Sequence, residues 1–213
     1  MTRWPAPCLM LITDRSRLRG RTLVEVASQA VEGGVHAVQL REKDLSAAAL
    51  YELAAPLHAA LRGRALLLVN CRIDVALAIG ADGVHFPQRG LAAKQARDMA
   101  KDVCIIGRSV HSPDAAIAAE ADGADYLQVG TIFETASKPG RPAAGLSLVR
   151  EVRDVVSIPI IAVGGIDASN AAGVIAAGAD GIAVIGAIMH ADDPRQAARD
   201  LRREIDAAYA GCR

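Results

Sequence analysis

Aromatic residues are scarce, with one Trp, three Tyr and two Phe in 213 residues. Proteins that grip single-stranded nucleic acid stack its bases on exposed rings, and so few rings supply no such platform. Nor does either charge prevail: 24 Lys plus Arg balance 24 Asp plus Glu, so no net field favours a polyanion. Long apolar runs are missing as well, and nothing approaches the length needed to span a bilayer. The opening "MTRWPAPCLMLITD" carries a cation and an apolar stretch. That stretch is short, reaches Asp14 quickly and lacks a small-residue cleavage site, so it reads as a first strand rather than a secretion signal. Cys8, Cys71, Cys104 and Cys212 lack the paired spacing of zinc sites or redox dithiols. They are expected to be reduced, mostly buried thiols packed as small hydrophobes. These absences lead to the expectation of a soluble, cytoplasmic protein that binds neither nucleic acid nor membrane.

What the chain does have is repetition. "GGVHAVQ" (33–39) returns as "DGVHFPQ" (82–88), and looser copies follow in "GADYLQVG" (123–130) and "GADGIAVIG" (178–186). Each copy sits where an Ala-rich helical stretch ends in Gly and a short apolar run begins, which is a helix C-cap feeding a strand. Strands are predicted near 8–13, 35–40, 65–70, 83–87, 103–108, 126–131, 158–163 and 181–186. Helical stretches such as "TLVEVASQAVEGG", "AAALYELAAPLHAALR", "SLVREVRDVV" and "PRQAARDLRREIDAAYA" lie between them. Nearly all-apolar strands alternating with helices indicate a parallel sheet covered by helices. Eight such units point to a single (β/α)8 barrel domain over residues 1–213. The alternative, a doubly wound open sheet, is disfavoured because no Gly-x-Gly-x-x-Gly turn follows the first strand.

In such a barrel the loops after the strands form the active face. "QLREK" places Gln39, Arg41 and Lys43 after strand two, and "LLLVN" ends strand three on Asn70. Ser109 and His111 follow strand five, while Thr131, Thr135, Ser137 and Lys138 follow strand six. An isolated Arg-Glu-Lys triplet ordinarily reads as a solvated loop. Here alternation puts Gln39, Arg41 and Lys43 on one side, and cations facing one cavity call for an anion. Gly164, Gly165 and Gly186 close strands seven and eight, where backbone N–H groups approach a phosphate in barrels of this type. His111 lies just past a strand end beside Ser109, and an imidazole is the side chain suited to proton transfer at neutral pH, which makes it the catalytic candidate. His36 and His85 are expected to open their strands on the face away from the site, in structural roles. Asp14 fits either the rim or a turn.

In this order, "LITD", "VQLREK", "VN" with "DVALAIGADGVHFPQ", "GRSVHS", "GADYLQVGTIFETASK", "IPIIAVGGI" and "GADGIAVIGAI" resemble the thiamine phosphate synthase and TenI family over nearly the whole chain. The resemblance implies the same barrel and a substrate that is thiazole phosphate. It assigns Gln39, Arg41, Lys43, Asn70, Ser109 and Lys138 to a pyrimidine diphosphate. Thr135 and Ser137 fall to a thiazole-contacting loop, and Gly165 and Gly186 to the thiazole phosphate cradle.

One departure stands out. Synthases of the family carry two magnesium-binding Asp residues, after the strand-three Asn and after strand four, where this chain has Cys71 and Gly90. A thiol and a hydrogen are no substitute for hard oxygen ligands. The expectation is therefore a TenI-like thiazole tautomerase, an isomerase needing no metal, with His111 moving the proton. The alternatives are a thiamine phosphate synthase with magnesium as cofactor, held through Asp74 or water, and a non-catalytic thiazole or thiamine phosphate binder. Family members commonly associate, so the resemblance admits a homo-oligomer.

Overall fold

A computed structural model describes residues 4–100, 105–135, 140 and 142–212. Ser137, Lys138 and Cys104 lie outside the described residues. Eight parallel strands close into a barrel in chain order, β1 Cys8–Ile12, β2 Ala37–Leu40, β3 Leu66–Asn70, β4 Gly83–Phe86, β5 Ile105–Val110, β6 Tyr126–Val129, β7 Ile160–Val163 and β8 Gly181–Val184. Helices α1 Leu23–Glu32, α2 Ala47–Leu61, α3 Ile73–Ile79, α4 Ala93–Ala100, α5 Pro113–Ala121, α6 Gly145–Arg153, α7 Ala171–Ala176, α8 Gly186–Met189 and α9 Pro194–Gly211 surround it. The expected (β/α)8 barrel is thus present. Among the described residues no helix is long and apolar enough to cross a membrane.

The repeat has a structural purpose. Asp82, Asp125 and Asp180 each precede a strand and accept the N–H of Leu67, Ile106 and Ile160 on the strand before, at 2.8, 2.7 and 2.9 Å. The first copy has no Asp at this place, and His36 does the same work by accepting from Leu9 N at 3.2 Å. The two "GVH" triplets are therefore alike in sequence and different in structure. His36 stands one residue before β2, whereas His85 is the third residue of β4.

Outward-facing Leu9, Leu11, Val38, Leu67, Val69 and Val84 join the helices in one large apolar cluster. Inward-facing Cys8, Met10, Ala37, Leu68, Tyr126 and Ile161 form a second inside the barrel. Register sorts the interior into layers drawn from alternate strands, as closed barrels of this kind require. Ala37, Gly83, Tyr126 and Gly181 occupy one, and Met10, Leu68, Gly107 and Ile161 the next. Above them lie Gln39, His85, Gln128 and Ala183, then Ile12, Asn70, Ser109 and Val163 beneath the rim. One large ring beside Ala37 and two glycines fills the lowest of these layers, and Trp4 stacks on Tyr126 with centroids 4.3 Å apart.

Two expectations are corrected here. Strand five runs 105–110 rather than 103–108, so Ser109 lies within it and His111 directly after it. The thiols are not mostly buried: Cys8 is, and its pKa is pushed up to about 12 by that burial, but Cys71 and Cys212 are exposed.

Candidate functional site

The layer of Gln39, His85 and Gln128 is polar, buried and continuous with the rim. Buried polar groups persist only when hydrogen-bonded, and here the bonds run across the barrel. Gln128 Nε2 donates to Gln39 Oε1 at 2.5 Å, Gln39 Nε2 to Asn70 Oδ1 at 3.1 Å, and Asn70 Nδ2 to Cys71 Sγ at 3.2 Å. Gln39 accepts from Gln128 in its own layer and donates to Asn70 in the layer above, so the chain ends in an amide N–H at the rim. His85 bonds Tyr126 Oη at 2.9 Å through Nδ1 and Ser109 Oγ at 2.8 Å through Nε2. His85 therefore does not face away from the site, as the sequence suggested. With β4 opening at Gly83, period two turns the third residue inward.

Above this layer opens a cavity of about 820 Å³ lined by Gln39, Arg41, Lys43, Asn70, Ser109 and His111, all expected from the sequence. Cys71, Arg72, His85 and Gln128 line it as well and were not foreseen as site residues. Strand β2 ends at Leu40, and the loop beyond is pinned rather than solvated. Thr13 Oγ1 accepts Arg41 N at 2.9 Å and donates to Glu42 Oε1 at 2.6 Å, and Glu42 also takes Arg15 N at 3.2 Å. With its carboxylate engaged by Thr13 and Arg15, Glu42 leaves the Arg41 and Lys43 cations to the cavity. Asp14 proves to be a turn former: it caps the 3-10 helix Arg15–Arg17 and pairs with Arg17 at 2.5 Å. His111 bonds the Gly130 carbonyl through Nδ1.

A second cavity of about 350 Å³ lies beside the first and shares Val163 and Ile185 with it. Thr131, Thr135, Gly164, Gly165 and Gly186 line it, so the glycines and Thr135 sit apart from the cationic group. Gly165 has φ +64°, and its carbonyl accepts Asn170 Nδ2 at 2.9 Å. Asp167 also lines this cavity, with Oδ1 occupied by Ser169 N at 2.8 Å and Ser169 Oγ at 2.6 Å. Strand β8 passes straight into α8, whose opening N–H groups have no partner within the helix.

The residues present do not fit a carboxylate-held magnesium. Cys71 contributes a thiol whose pKa is raised by partial desolvation, with Lys43 and Arg41 pulling it back. At Gly90 the difficulty is space: a Cβ there would stand 2.9 Å from Pro87 Cδ and 3.0 Å from Pro87 O, inside a turn closed by Gly90 N to Pro87 O. Asp74, the substitute considered from the sequence, is tied to Arg72 at 2.5 Å, which lowers its pKa. Among the described residues no three His, Cys, Asp or Glu side chains cluster as a metal site would require.

Cys71 nevertheless reports on this cavity. Alkylation by iodoacetamide is expected to be slow at neutral pH, where the thiol stays protonated, and to accelerate as pH rises. Inorganic pyrophosphate should slow it. Timed mass spectrometry of the Cys71 peptide measures both, and labelling indifferent to pyrophosphate would separate Cys71 from the anion-binding side.

Comparison with known proteins adds an independent line. Residues 9–188 match the family model described as thiamine monophosphate synthase. The thiamine-phosphate synthase of Natronomonas pharaonis is 45% identical over 200 residues, covering 92% of this chain and 94% of its own. That of Moorella thermoacetica is 47% identical over 192 residues, covering 89% and 91%. Among solved structures, the thiamine phosphate pyrophosphorylase from Pyrococcus furiosus superposes with a TM-score of 0.86 at 40% identity, covering 94% of this chain and 96% of that one. These relatives overturn the expectation of a tautomerase, and with it the isomerase class. The missing acids at 71 and 90 speak to how charge is handled, and were too narrow a basis for choosing the reaction.

Proposed function

The chain belongs to the thiamine monophosphate synthase family, and on that premise we propose that it joins a pyrimidine diphosphate to thiazole phosphate, forming thiamine phosphate and releasing pyrophosphate. The observation that carries this reading is the pair of adjoining cavities, one with Arg41 and Lys43 and one with Gly164, Gly165 and Gly186, meeting at Val163 and Ile185. An isomerase acting on one phosphate needs the second alone. Two anionic substrates that must touch at one bond need both.

In this reading Gln39, Arg41, Lys43, Asn70, Ser109 and Lys138 hold the diphosphate, Thr135 and Ser137 contact the thiazole, and Gly164, Gly165 and Gly186 cradle its phosphate. The bond from the pyrimidine methylene carbon to the diphosphate oxygen breaks, and the electron pair leaves with pyrophosphate. The thiazole nitrogen supplies the pair for the new carbon–nitrogen bond, so the ring becomes cationic. Charge growing on the departing oxygen meets Arg41, Lys43 and the N–H and O–H groups of Asn70 and Ser109, which are preorganised to receive it. Magnesium, which the resemblance attaches to a synthase, has no carboxylate pair here, so no step is routed through it. His111 keeps a place in the cavity wall, and this reaction asks no proton transfer of it. A single cytoplasmic barrel domain suffices for both substrates.

The test is to incubate the purified protein with both substrates, and with each omitted in turn, and to quantify thiamine phosphate by its fluorescent oxidation product. Product only in the complete mixture supports the reading. No product beside a competent synthase control would overturn it.

A further inference from the structure

The hydrogen bonds through His85 take a direction once the Tyr126 proton is placed. Tyr126 is fully buried, and among the described residues its hydroxyl has one hydrogen-bond partner, His85 Nδ1 at 2.9 Å. Burial pushes the phenol well above its ordinary pKa, so the group keeps its proton and must donate it. Nδ1 is then the acceptor, and the ring proton resides on Nε2. Nε2–H in turn donates to Ser109 Oγ at 2.8 Å. A hydroxyl that accepts there must aim its own proton elsewhere, and Ser109 lines the cation-lined cavity.

The path exists because of Gly107. Tyr126 belongs to a lower layer than His85, and the position between them on β5 is Gly107, whose added Cβ would overlap the Tyr126 ring. An empty place in one layer thus lets a phenol reach a histidine two layers above it. Trp4 stacks beneath and holds the ring in place.

We propose that His85 is a positioning residue: the Tyr126 and His85 relay fixes the tautomer that turns the Ser109 hydroxyl outward as a hydrogen-bond donor to the substrate's diphosphate. The proposal rests on the synthase reading for the identity of the anion. It gives the barrel floor one polarity, because the amide chain through Gln128, Gln39 and Asn70 also ends in a donor at the rim.

Two measurements on the full-length protein test it. Nitrogen-15 NMR of the histidine rings, with His85 assigned by its absence in His85→Gln, should show Nδ1 unprotonated and Nε2 protonated at neutral pH. Calorimetric titration with inorganic pyrophosphate should show Tyr126→Phe, which removes one buried oxygen from an intact ring, binding about 3- to 10-fold more weakly, the worth of one hydrogen bond. His85→Leu should lose at least as much, and His85→Gln, whose amide N–H reaches toward Ser109, should recover part of it. In a Ser109→Ala background, Tyr126→Phe should cost nothing further, whereas a merely structural role would leave the two losses additive. A protonated Nδ1, or additivity, would overturn the relay alone. Wild-type protein that fails to bind pyrophosphate would overturn the diphosphate reading of Ser109 together with the proposed function.

Discussion

Arg41→Gln is expected to lower kcat/KM for the pyrimidine diphosphate by about 10²- to 10³-fold. With no carboxylate pair to hold a magnesium ion at the diphosphate, neutralisation falls on side-chain cations. Among the described residues three Lys or Arg side chains line the cavity, and of these Arg72 is already paired with Asp74. Arg41 and Lys43 therefore share the load with Lys138 of the proposed site, and a guanidinium offering two charge-assisted hydrogen bonds contributes about 1.5–3 kcal/mol for each. Such bonds strengthen as charge builds on the leaving oxygen, so kcat should fall along with affinity. The fold should survive, because the Arg41 contact to Thr13 is made by the backbone N–H, which the variant keeps. Arg41→Lys should recover little, since an ammonium cannot reproduce the planar two-point contact. Steady-state kinetics with each substrate varied in turn would show the loss confined to the diphosphate. An unchanged kcat/KM would remove Arg41 from the site.

Gly165→Ala is the second large effect, and it should strike the other substrate. The residue sits at φ +64°, where an L side chain is strained, and a Cβ would overlap the Glu134 carbonyl oxygen and stand 2.7 Å from Phe133 Cβ. Strain in the left-handed region costs about 1–2 kcal/mol before any overlap is relieved. The loop after β7 must then move away from the loop after β6, and Asn170, bonded to the Gly165 carbonyl, must follow or let go. A lower melting temperature and a KM for thiazole phosphate at least about tenfold higher are expected, with the diphosphate KM little altered. Gly186→Ala separates the two causes. Its φ is not positive and a Cβ would come no closer than 3.4 Å to His190 Nδ1, so it should fold normally and disturb phosphate binding alone. Equal KM values in all three proteins would show that these glycines cradle nothing.

The sequence reveals some of this site and hides the rest for identifiable reasons. Rim residues such as Gln39, Arg41 and Asn70 were legible because strand ends and period-two alternation are local properties. The polar layer was not, because Gln128 meets Gln39 only when the barrel closes and brings residues 89 apart into contact. His85 was misplaced because its triplet matches that around His36, while the two differ in register against their neighbouring strands. Ser109 read as a loop residue because β5 continues two residues beyond its most apolar stretch. The reaction was misjudged for a different reason. Cys71 and Gly90 report the loss of one way of managing charge, and a cavity with Arg41 and Lys43 already supplies another.

A phosphorus-31 NMR time course of purified protein with pyrimidine diphosphate and thiazole phosphate shows whether the two substrates are joined. The diphosphate signals should convert to free pyrophosphate while thiazole phosphate becomes thiamine phosphate in a one-to-one ratio, with neither change when one substrate is withheld. Unchanged signals over many hours, or pyrophosphate released without consumption of thiazole phosphate, would contradict the synthase reading.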